Sequence, residues 1–375
     1  MTTAMTLAGA RVVAPGDPDR LAISGGRIVQ GDAGRVVDCT GFLVLPGIVD
    51  LHGDAFERHL APRRGALRSL GDGLRALEGE LAANGITTAY LPQFWSWEGG
   101  MRGPDFAQAL CAALDDHTGL LDLRLQLRFD IACHDECDAV GALIRRYGID
   151  SLVLNDHLPH AALARGRRPP RLDGQAMRAR RSPAEHLAVM QRLHADLPGA
   201  GERIAAMLRD LPALHIGSHD DPDPRTRARN RALGARIAEF PTTRATARAA
   251  REAGDAVILG APNAVRGGSH GKGVSARDMV AEGLCDALAS DYHYPSLHHA
   301  VFALEGAGVP FADAWALISA SPARVMGLED RGTLAPGRRA DLVILDEATG
   351  RITGTLAAGR FAYLAEPLAA RVLAA

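Results

Sequence analysis

The stretch LPGIVDLHGDAFERH, residues 45–59, decides the fold, because a short apolar strand runs directly into a crowd of polar side chains. His52, Asp54, Glu57, Arg58 and His59 all follow the run GIVDL at once. Functional residues at the carboxyl end of a strand are typical of (β/α)8 barrels. The other apolar runs of the chain therefore decide whether this strand end is part of a larger site.

Short apolar runs recur between residues 47 and 332, and segments with helical spacing separate most of them. The clearest helix carries a leucine stripe, Leu70, Leu74, Leu77 and Leu81, and should end at Asn84-Gly85. Alternating strands and helices are typical of a parallel sheet covered by helices. Eight strands are predicted, at residues 47–51, 87–91, 123–131, 151–155, 213–217, 236–240, 256–260 and 286–290. Eight parallel strands close a barrel.

The predicted fold class is α/β, a distorted (β/α)8 TIM barrel with a small β-sandwich module formed by both chain ends. Residues 47–332 would form the barrel, and residues 1–46 and 333–375 the module, because both ends are rich in strand-like runs and turn glycines. In the third strand, apolar and polar residues alternate from Leu123 to Ile131. We expect its apolar face to point outward and its polar face into the barrel.

Composition argues against several classes of protein. A formal net charge of −2 and a pI near 6.7 provide no overall field that would attract nucleic acid or an anionic membrane. Five scattered cysteines do not resemble a disulfide framework, and we see neither a secretory signal nor an apolar run of about 18 residues. We therefore expect a cytoplasmic protein that binds a small molecule. Whether it forms a homo-oligomer stays open.

Five of the predicted strands lead into residues that can bind metal. These residues are His52 and Asp54, Asp130, Asp156 and His157, His219, and Asp291. Each of them alone is more often a capping or hydrogen-bonding residue. As a set at successive strand ends they would meet at one barrel mouth. Imidazole and carboxylate ligands suit two divalent ions, with Zn²⁺ favoured and Mn²⁺ as the alternative.

Motifs along nearly the whole chain resemble a known family. LPGIVDLH and GTLAPGRRADLVILD resemble the two domain junctions of the amidohydrolase superfamily. DLHGDAFERH, SLVLNDHLPH, GSHDDPDPRTRA, AEFPTT, GAPNAVRGGSH and ASDYHYPSL resemble its PhnM branch, the α-D-ribose 1-methylphosphonate 5-triphosphate diphosphatases. The resemblance implies a metal-dependent hydrolase that releases diphosphate in phosphonate catabolism, with carbon–phosphorus lyase proteins as pathway partners.

The same resemblance implies six ligands in a binuclear centre. One ion would take His52, Asp54 and Asp291, the other would take His157 and His219, and Asp130 would bridge the two. Asp291 would also be the general base for the attacking water. Asp54 stands where most of the superfamily has a second histidine, and Asp130 stands where the branch usually has glutamate.

The loop APNAVRGGSHGKG, residues 261–273, follows the seventh predicted strand. Its candidate phosphate-binding residues are Arg266, Gly267, Gly268, Ser269, His270 and Lys272. Backbone amides and cations suit a phosphate, and phosphate sites in barrels often follow the seventh and eighth strands. A glycine loop without this context would more often be a tight turn.

Three further points stay open. Residues 165–181 hold seven arginines, which usually indicates a solvated loop but could also indicate a lid over a polyphosphate. CHDEC, residues 133–137, lacks the second pair of ligands that a tetrahedral zinc site needs, so we expect a structural loop.

The rival function is an amidohydrolase acting on a C–N bond of an amide, lactam or amidine, including deamination. A metal-holding binding protein is the third alternative, although the spare base Asp291 argues against it.

Overall fold

The structure is a computed structural model that describes residues 4–14, 16, 18–61, 69–211, 214–268 and 274–375. The described residues form two compact units. One comprises the described parts of Met1–Leu91, His117–Arg124 and Ile258–Ala375, and the other those of Pro92–Asp116 and Leu125–Val257. In this part of the chain no helix is both long and apolar enough to cross a membrane.

Strands from both chain ends share a sheet. The early strands are β1 (Met5–Ala8), β2 (Arg11–Val12), β3 (Arg20–Ser24), β4 (Arg27–Val29), β5 (Arg35–Asp38) and β6 (Phe42–Pro46). One sheet has the order β4-β3-β1-β5. In the other, β6 lies between β2 and a strand near the carboxyl end, Leu342–Asp346, with Leu45 opposite Val343. Apolar residues of both sheets, such as Leu7 and Ile344, form one core.

The barrel is a single sheet whose eight strands follow each other in sequence order. They are β7 (Ile48–Asp50), β8 (Ile86–Trp95), β9 (Asp122–Asp130), β10 (Ser151–Asn155), β11 (His215–His219), β12 (Ile237–Glu239), β13 (Ala256–Gly260) and β14 (Ala287–Ala289). Neighbours pair in parallel, as β9 does with β10 and β10 with β11. The last strands of the chain are β15 (Leu342–Asp346), β16 (Ile352–Ala357) and β17 (Arg360–Leu364). The predicted (β/α)8 barrel with extra strands from the ends is confirmed, whereas the domain limits at residues 46 and 333 stay a prediction.

Helices connect the strands and cover the sheet. They are α1 (Glu57–Leu60), α2 (Leu70–Ala83), α3 (Pro104–Asp115), α4 (Cys137–Tyr147), α5 (His160–Leu163), α6 (Leu172–Arg178), α7 (Pro183–Asp196), α8 (Ala200–Arg209), α9 (Pro224–Ala232), α10 (Arg244–Glu252), α11 (Ala261–Arg266), α12 (Ala276–Ala281), α13 (Ser296–Glu305), α14 (Phe311–Ala316), α15 (Ala320–Val325) and α16 (Leu368–Ala374).

The helix predicted from the leucine stripe is α2. The Ser69 side chain caps its start by accepting from the Asp72 amide, and Gly85, just past its end, has a φ of 77°. Such a left-handed residue after a helix is usually glycine, because other residues crowd their own β-carbon there. The predicted stop at Asn84-Gly85 is confirmed.

The third strand presents its polar face to the barrel interior. Gln126 and Arg128 on β9 are buried, and the Gln126 side-chain amide donates to Glu239 Oε1 at 2.6 Å. Glu239 belongs to β12, and two strands lie between β12 and β9 in the sheet. Side chains of strands so far apart in the sheet can meet only through the interior, which confirms the predicted orientation.

Asp50 joins the first and last strands of the barrel. Its Oδ1 accepts from the Ser290 amide at 3.0 Å, and its Oδ2 accepts from the Ser290 hydroxyl at 2.6 Å. Burial raises the pKa of the Asp50 carboxyl, although the bonds from Ser290 and His52 lower it in part. Asp50 is therefore a structural residue that holds the end of β14 against the end of β7.

Candidate metal centre

The loop after β7 brings His52 and Asp54 together. His52 is fully buried, and its Nε2 lies 3.5 Å from Oδ1 of Asp54, which opens the short 3₁₀ turn Asp54–Phe56. Asp291 is bound to the same loop through its backbone. Its amide donates to the His52 carbonyl at 2.8 Å, and the Ala55 amide donates to the Asp291 carbonyl at 3.3 Å. The structure therefore places the three predicted ligands of one ion in adjoining loops.

Asp130, the last residue of β9, is fully buried and weakly hydrogen-bonded. Its oxygens accept from the Ala132 amide at 3.2 Å and the Ser96 hydroxyl at 3.3 Å. His157 Nδ1 lies 3.4 Å from Asp130 Oδ2, but among the described residues this buried nitrogen has no hydrogen-bond partner. Burial raises the pKa of the Asp130 carboxyl. A buried acid beside an unpartnered ring nitrogen fits a metal ion, which would compensate both.

Glu239 is a site residue that the sequence analysis missed. It ends β12 with 2% of its surface exposed, and one of its oxygens lies within 4.8 Å of a ring nitrogen of His219. His219 Nδ1 also lies 3.2 Å from Asp220 Oδ2, and its ring packs edge-on against Phe240. Applying the strand-end rule to the sixth strand would have found Glu239, since the motif AEFPTT places an acid there.

Among the described residues, three that lie just beyond the ends of barrel strands have a left-handed backbone without being glycine. They are Asp220 after β11, Phe240 after β12 and Asp291 after β14, with φ values of 56°, 52° and 56°. Each such conformation costs about 1–2 kcal/mol for a residue that has a β-carbon. Strain of this kind often occurs at functional sites. Its position here supports a functional rim at these strand ends.

A cavity of about 320 Å³ opens at the ends of β10 and β11. Its walls include Asp156, His157, His160, His219, Asp220, Asp221, Thr226, Arg229 and Asn230. This volume is at the lower end of the range for small-ligand sites. The cavity therefore gives a ligand access to two of the predicted metal ligands, His157 and His219.

His160 is a second residue of this site that the sequence analysis missed. Its Nε2 lies 2.9 Å from each carboxylate oxygen of Asp156, and its Nδ1 lies 2.8 Å from Nδ1 of His194 on α7. The hydrogen bond to Asp156 raises the pKa of His160. The Asp156 carboxylate therefore stabilises the protonated ring of His160 relative to a free histidine.

The predicted phosphate loop is described only in part. Arg266 ends α11, is exposed, and donates to the Tyr292 hydroxyl. Gly267 has a φ of 75°, and its amide donates to the Asn263 carbonyl at 3.1 Å, so this amide is already used to end the helix. Gly268 is the last described residue before the gap. Ser269, His270 and Lys272 lie outside the described residues, and phosphate binding by this loop stays a prediction.

The arginine-rich segment and the CHDEC segment are both packed against neighbours. In the arginine-rich segment, the Gln175 side chain donates to Glu98 at 3.0 Å, and Arg181 donates to the Trp97 carbonyl at 2.9 Å. These bonds anchor the segment to the loop after β8, whereas a lid role stays untested. In CHDEC, Cys133 and Cys137 are buried free cysteines, and burial raises the pKa of both thiols, as in a structural loop.

Comparisons with known proteins point to one family. A profile described as the Amidohydrolase family matches residues 63–361. The chain is 31% identical over 324 residues to the alpha-D-ribose 1-methylphosphonate 5-triphosphate diphosphatase of Escherichia coli, which covers 83% of this chain and 85% of that protein. It is 26% identical over 377 residues to an adenine deaminase of Cereibacter sphaeroides, covering 94% of this chain but 56% of the deaminase.

A solved structure supports the same architecture. An adenosine deaminase from Xanthomonas campestris with bound zinc matches with a TM-score of 0.60 at 16% identity, over 99% of this chain and 97% of that one. At this identity the likeness supports the barrel fold alone.

Proposed function

We propose that this protein is a phosphonate triphosphate diphosphatase. The premise is that the chain belongs to the amidohydrolase family and to its PhnM-like branch. The protein is a hydrolase, as its family indicates. The proposed substrate is α-D-ribose 1-methylphosphonate 5-triphosphate or a related compound. The single observation that carries the proposal is the 31% identity to the E. coli diphosphatase across 85% of that enzyme.

In this proposal the residues at the strand ends would hold two divalent ions. His52, Asp54 and Asp291 would bind one ion, His157 and His219 would bind the other, and Asp130 would be a ligand of both. Two observations support this assignment: the buried Nδ1 of His157 has no hydrogen-bond partner among the described residues, and the hydrogen bonds to the Asp130 carboxyl are long. Zinc or manganese bound there would lower the pKa of a water molecule and stabilise negative charge.

We add Glu239 to this set. Its oxygen lies within 4.8 Å of a His219 ring nitrogen, and Gln126 holds the same side chain by a 2.6 Å hydrogen bond. A carboxylate at this position can either bind an ion itself or orient the His219 ring. Loss of metal from a Glu239→Gln variant would support direct binding, because the amide keeps the shape of the side chain but loses its charge.

The chain's own groups move the proton and grip the substrate. Asp291 accepts a proton from the attacking water, whose oxygen bonds to phosphorus while the bond between the α- and β-phosphates breaks. Diphosphate leaves with the electron pair of that bond. Arg266 and Lys272 would neutralise the substrate phosphates, and Gly268, Ser269 and His270 would donate hydrogen bonds to them. Lys272→Ala and Arg266→Ala should mainly raise KM, by roughly 10-fold, unless their contacts strengthen on the departing diphosphate, in which case kcat falls too.

The test is a parallel assay of the metal-loaded protein. Diphosphate release from the ribose 5-triphosphate phosphonate is measured beside ammonia release from adenine and from a panel of cyclic amides and amidines. Asp115→Asn, an exposed substitution at the end of α3, is the control variant. Diphosphate release is expected. Efficient turnover of a phosphate-free substrate without diphosphate would move the protein to the C–N hydrolases.

Deamination is the second candidate, and one observation favours it. The match to the C. sphaeroides adenine deaminase spans 94% of this chain, although the chain spans about half the length of that deaminase. The two candidates share a need for divalent metal, so metal content does not separate them. A cytoplasmic location, carbon–phosphorus lyase proteins as pathway partners and the oligomeric state stay predictions.

A further inference from the structure

We propose that the cavity at the ends of β10 and β11 binds hydroxyl groups of the substrate's sugar, with Asp156 as the accepting carboxylate and His160 as its positioning residue. This inference rests on the proposed function, because it assigns one part of the same substrate to this cavity. It names a chemical group that the site recognises beyond the phosphates.

Both carboxylate oxygens of Asp156 face one imidazole ring. His160 Nε2 lies 2.9 Å from both oxygens, and the Leu158 amide donates to Oδ1 at 3.3 Å. The side chain is 26% exposed and lines the cavity. Each carboxylate oxygen accepts about two hydrogen bonds, so Asp156 keeps capacity for a ligand hydroxyl.

His160 is itself held in place and does not reach the ligand. Its Nε2 bonds Asp156, and its Nδ1 lies 2.8 Å from Nδ1 of His194. Both ring nitrogens are therefore engaged by the protein. The ring prevents the Asp156 carboxylate from rotating, and a fixed acceptor binds a hydroxyl at a lower entropic cost than a mobile one.

The wall of the cavity holds three carboxylates, Asp156, Asp220 and Asp221, beside one arginine, Arg229. Carboxylates repel phosphate oxygens, whereas they accept strong charge-assisted hydrogen bonds from hydroxyls. Thr226 and Asn230 add neutral polar groups to the wall. These acceptors suit the hydroxyl groups of a sugar ring.

The experiment measures discrimination between hydroxylated and deoxy substrates by the metal-loaded full chain. The substrates are α-D-ribose 1-methylphosphonate 5-triphosphate and its 2-deoxy and 3-deoxy analogues. The parent protein should lose roughly 10- to 100-fold in kcat/KM on at least one analogue. Asp156→Asn should lower kcat/KM on the full substrate by about 10-fold and leave that analogue within about 2-fold, so that discrimination disappears.

Variants of His160 separate positioning from general structure. His160→Gln keeps a donor near the position of Nε2 and should keep most of the discrimination, whereas His160→Ala should lose part of it. Asp115→Asn should behave like the parent on every substrate. Calorimetric binding of the ribose 1-methylphosphonate 5-phosphate product should weaken in Asp156→Asn, which gives a measurement independent of turnover.

Two outcomes would overturn the inference while the proposed function stands. One is equal turnover of the full substrate and both analogues by the parent protein. The other is a folded Asp156→Asn variant that still discriminates as the parent does. If no triphosphate is hydrolysed, the proposed function fails and the inference fails with it. This result differs from the two outcomes above, in which the triphosphate is still hydrolysed.

Discussion

The ends of the first and third barrel strands each carry a fully buried aspartate, and the two differ in what surrounds the carboxyl group. Asp50 accepts two hydrogen bonds from Ser290, at 3.0 and 2.6 Å, which offset part of the cost of burying the acid. Asp130 accepts from the Ala132 amide and the Ser96 hydroxyl at 3.2 and 3.3 Å. The longer bonds leave more of the Asp130 carboxyl's charge uncompensated, which agrees with its proposed role as a metal ligand. The proposed difference between the two residues therefore depends on hydrogen bonding, because both are equally buried.

The largest effect that would test this contrast is expected from Asp130→Asn. The amide fits the same space but removes the charge that would hold an ion. Bound metal should fall, and kcat/KM should drop on the order of 10²-fold or more. The unfolding temperature of the metal-free variant should stay the same or rise, because a poorly compensated buried charge is gone. Elemental analysis measures the bound metal, and the diphosphate assay measures kcat/KM. Unchanged metal content would contradict the proposed difference between Asp130 and Asp50.

Asp291→Asn should leave metal largely bound and abolish turnover. An amide oxygen can still bind an ion but cannot accept the water's proton, so kcat should fall on the order of 10²-fold or more with KM little changed. Steady-state kinetics beside elemental analysis would check this. Retained kcat would show that another group is the base and would leave Asp291 as a metal ligand only.

Asp50→Asn should act on stability instead of metal. Asn keeps an oxygen for one Ser290 bond but turns an amino group toward the other donor, so the free energy of unfolding should fall by about 1–3 kcal/mol. Ser290→Ala is the matched variant, since it removes the hydroxyl from the opposite side. Chemical denaturation and metal content of the folded fraction measure the effect. A metal-depleted but stable Asp50→Asn protein would contradict the structural assignment.

Asp156 extends the comparison of Asp50 with Asp130, because this carboxylate after a strand has a titratable partner, His160. The hydrogen bond to Asp156 raises the pKa of His160 in the folded chain. A raised histidine pKa stabilises the fold fully below the unfolded value of about 6.5, and this stabilisation is lost as pH rises through the folded value. Between pH 6 and pH 9, metal-free parent should therefore lose on the order of 1 °C more in unfolding temperature than His160→Gln. If the unfolding temperatures of the two proteins change with pH in the same way, His160 has no stabilising charge interaction with Asp156.

Periodicity is the part of the sequence that predicted structure well. Strand alternation and the leucine stripe of α2 depend on neighbouring residues, and leucines repeated at this spacing over several turns rarely form anything but a helix. The strand-end rule also found His52, Asp54 and Asp291, which the structure brings into adjoining loops. Local pattern and the topology of a parallel barrel were sufficient for this much.

Partners distant in sequence are what the sequence could not supply. Asp50 looked like one more polar residue in a crowded stretch, because Ser290 lies 240 residues further along the chain. Glu239 was passed over because a single acid at a strand end is ordinary. His160 was missed because its role depends on His194, which only the packing of α7 brings near.

The pairing of β6 with β15 has a consequence for how the protein is made. During synthesis β6 leaves the ribosome well before its antiparallel neighbour, Leu342–Asp346. At 5–20 residues per second, the roughly 300 intervening residues take on the order of 15 to 60 s. Throughout that interval the apolar strand Phe42–Pro46 has one hydrogen-bonding edge without its native neighbour. The growing chain therefore depends on chaperones or on rapid barrel folding to keep this edge from joining another nascent chain.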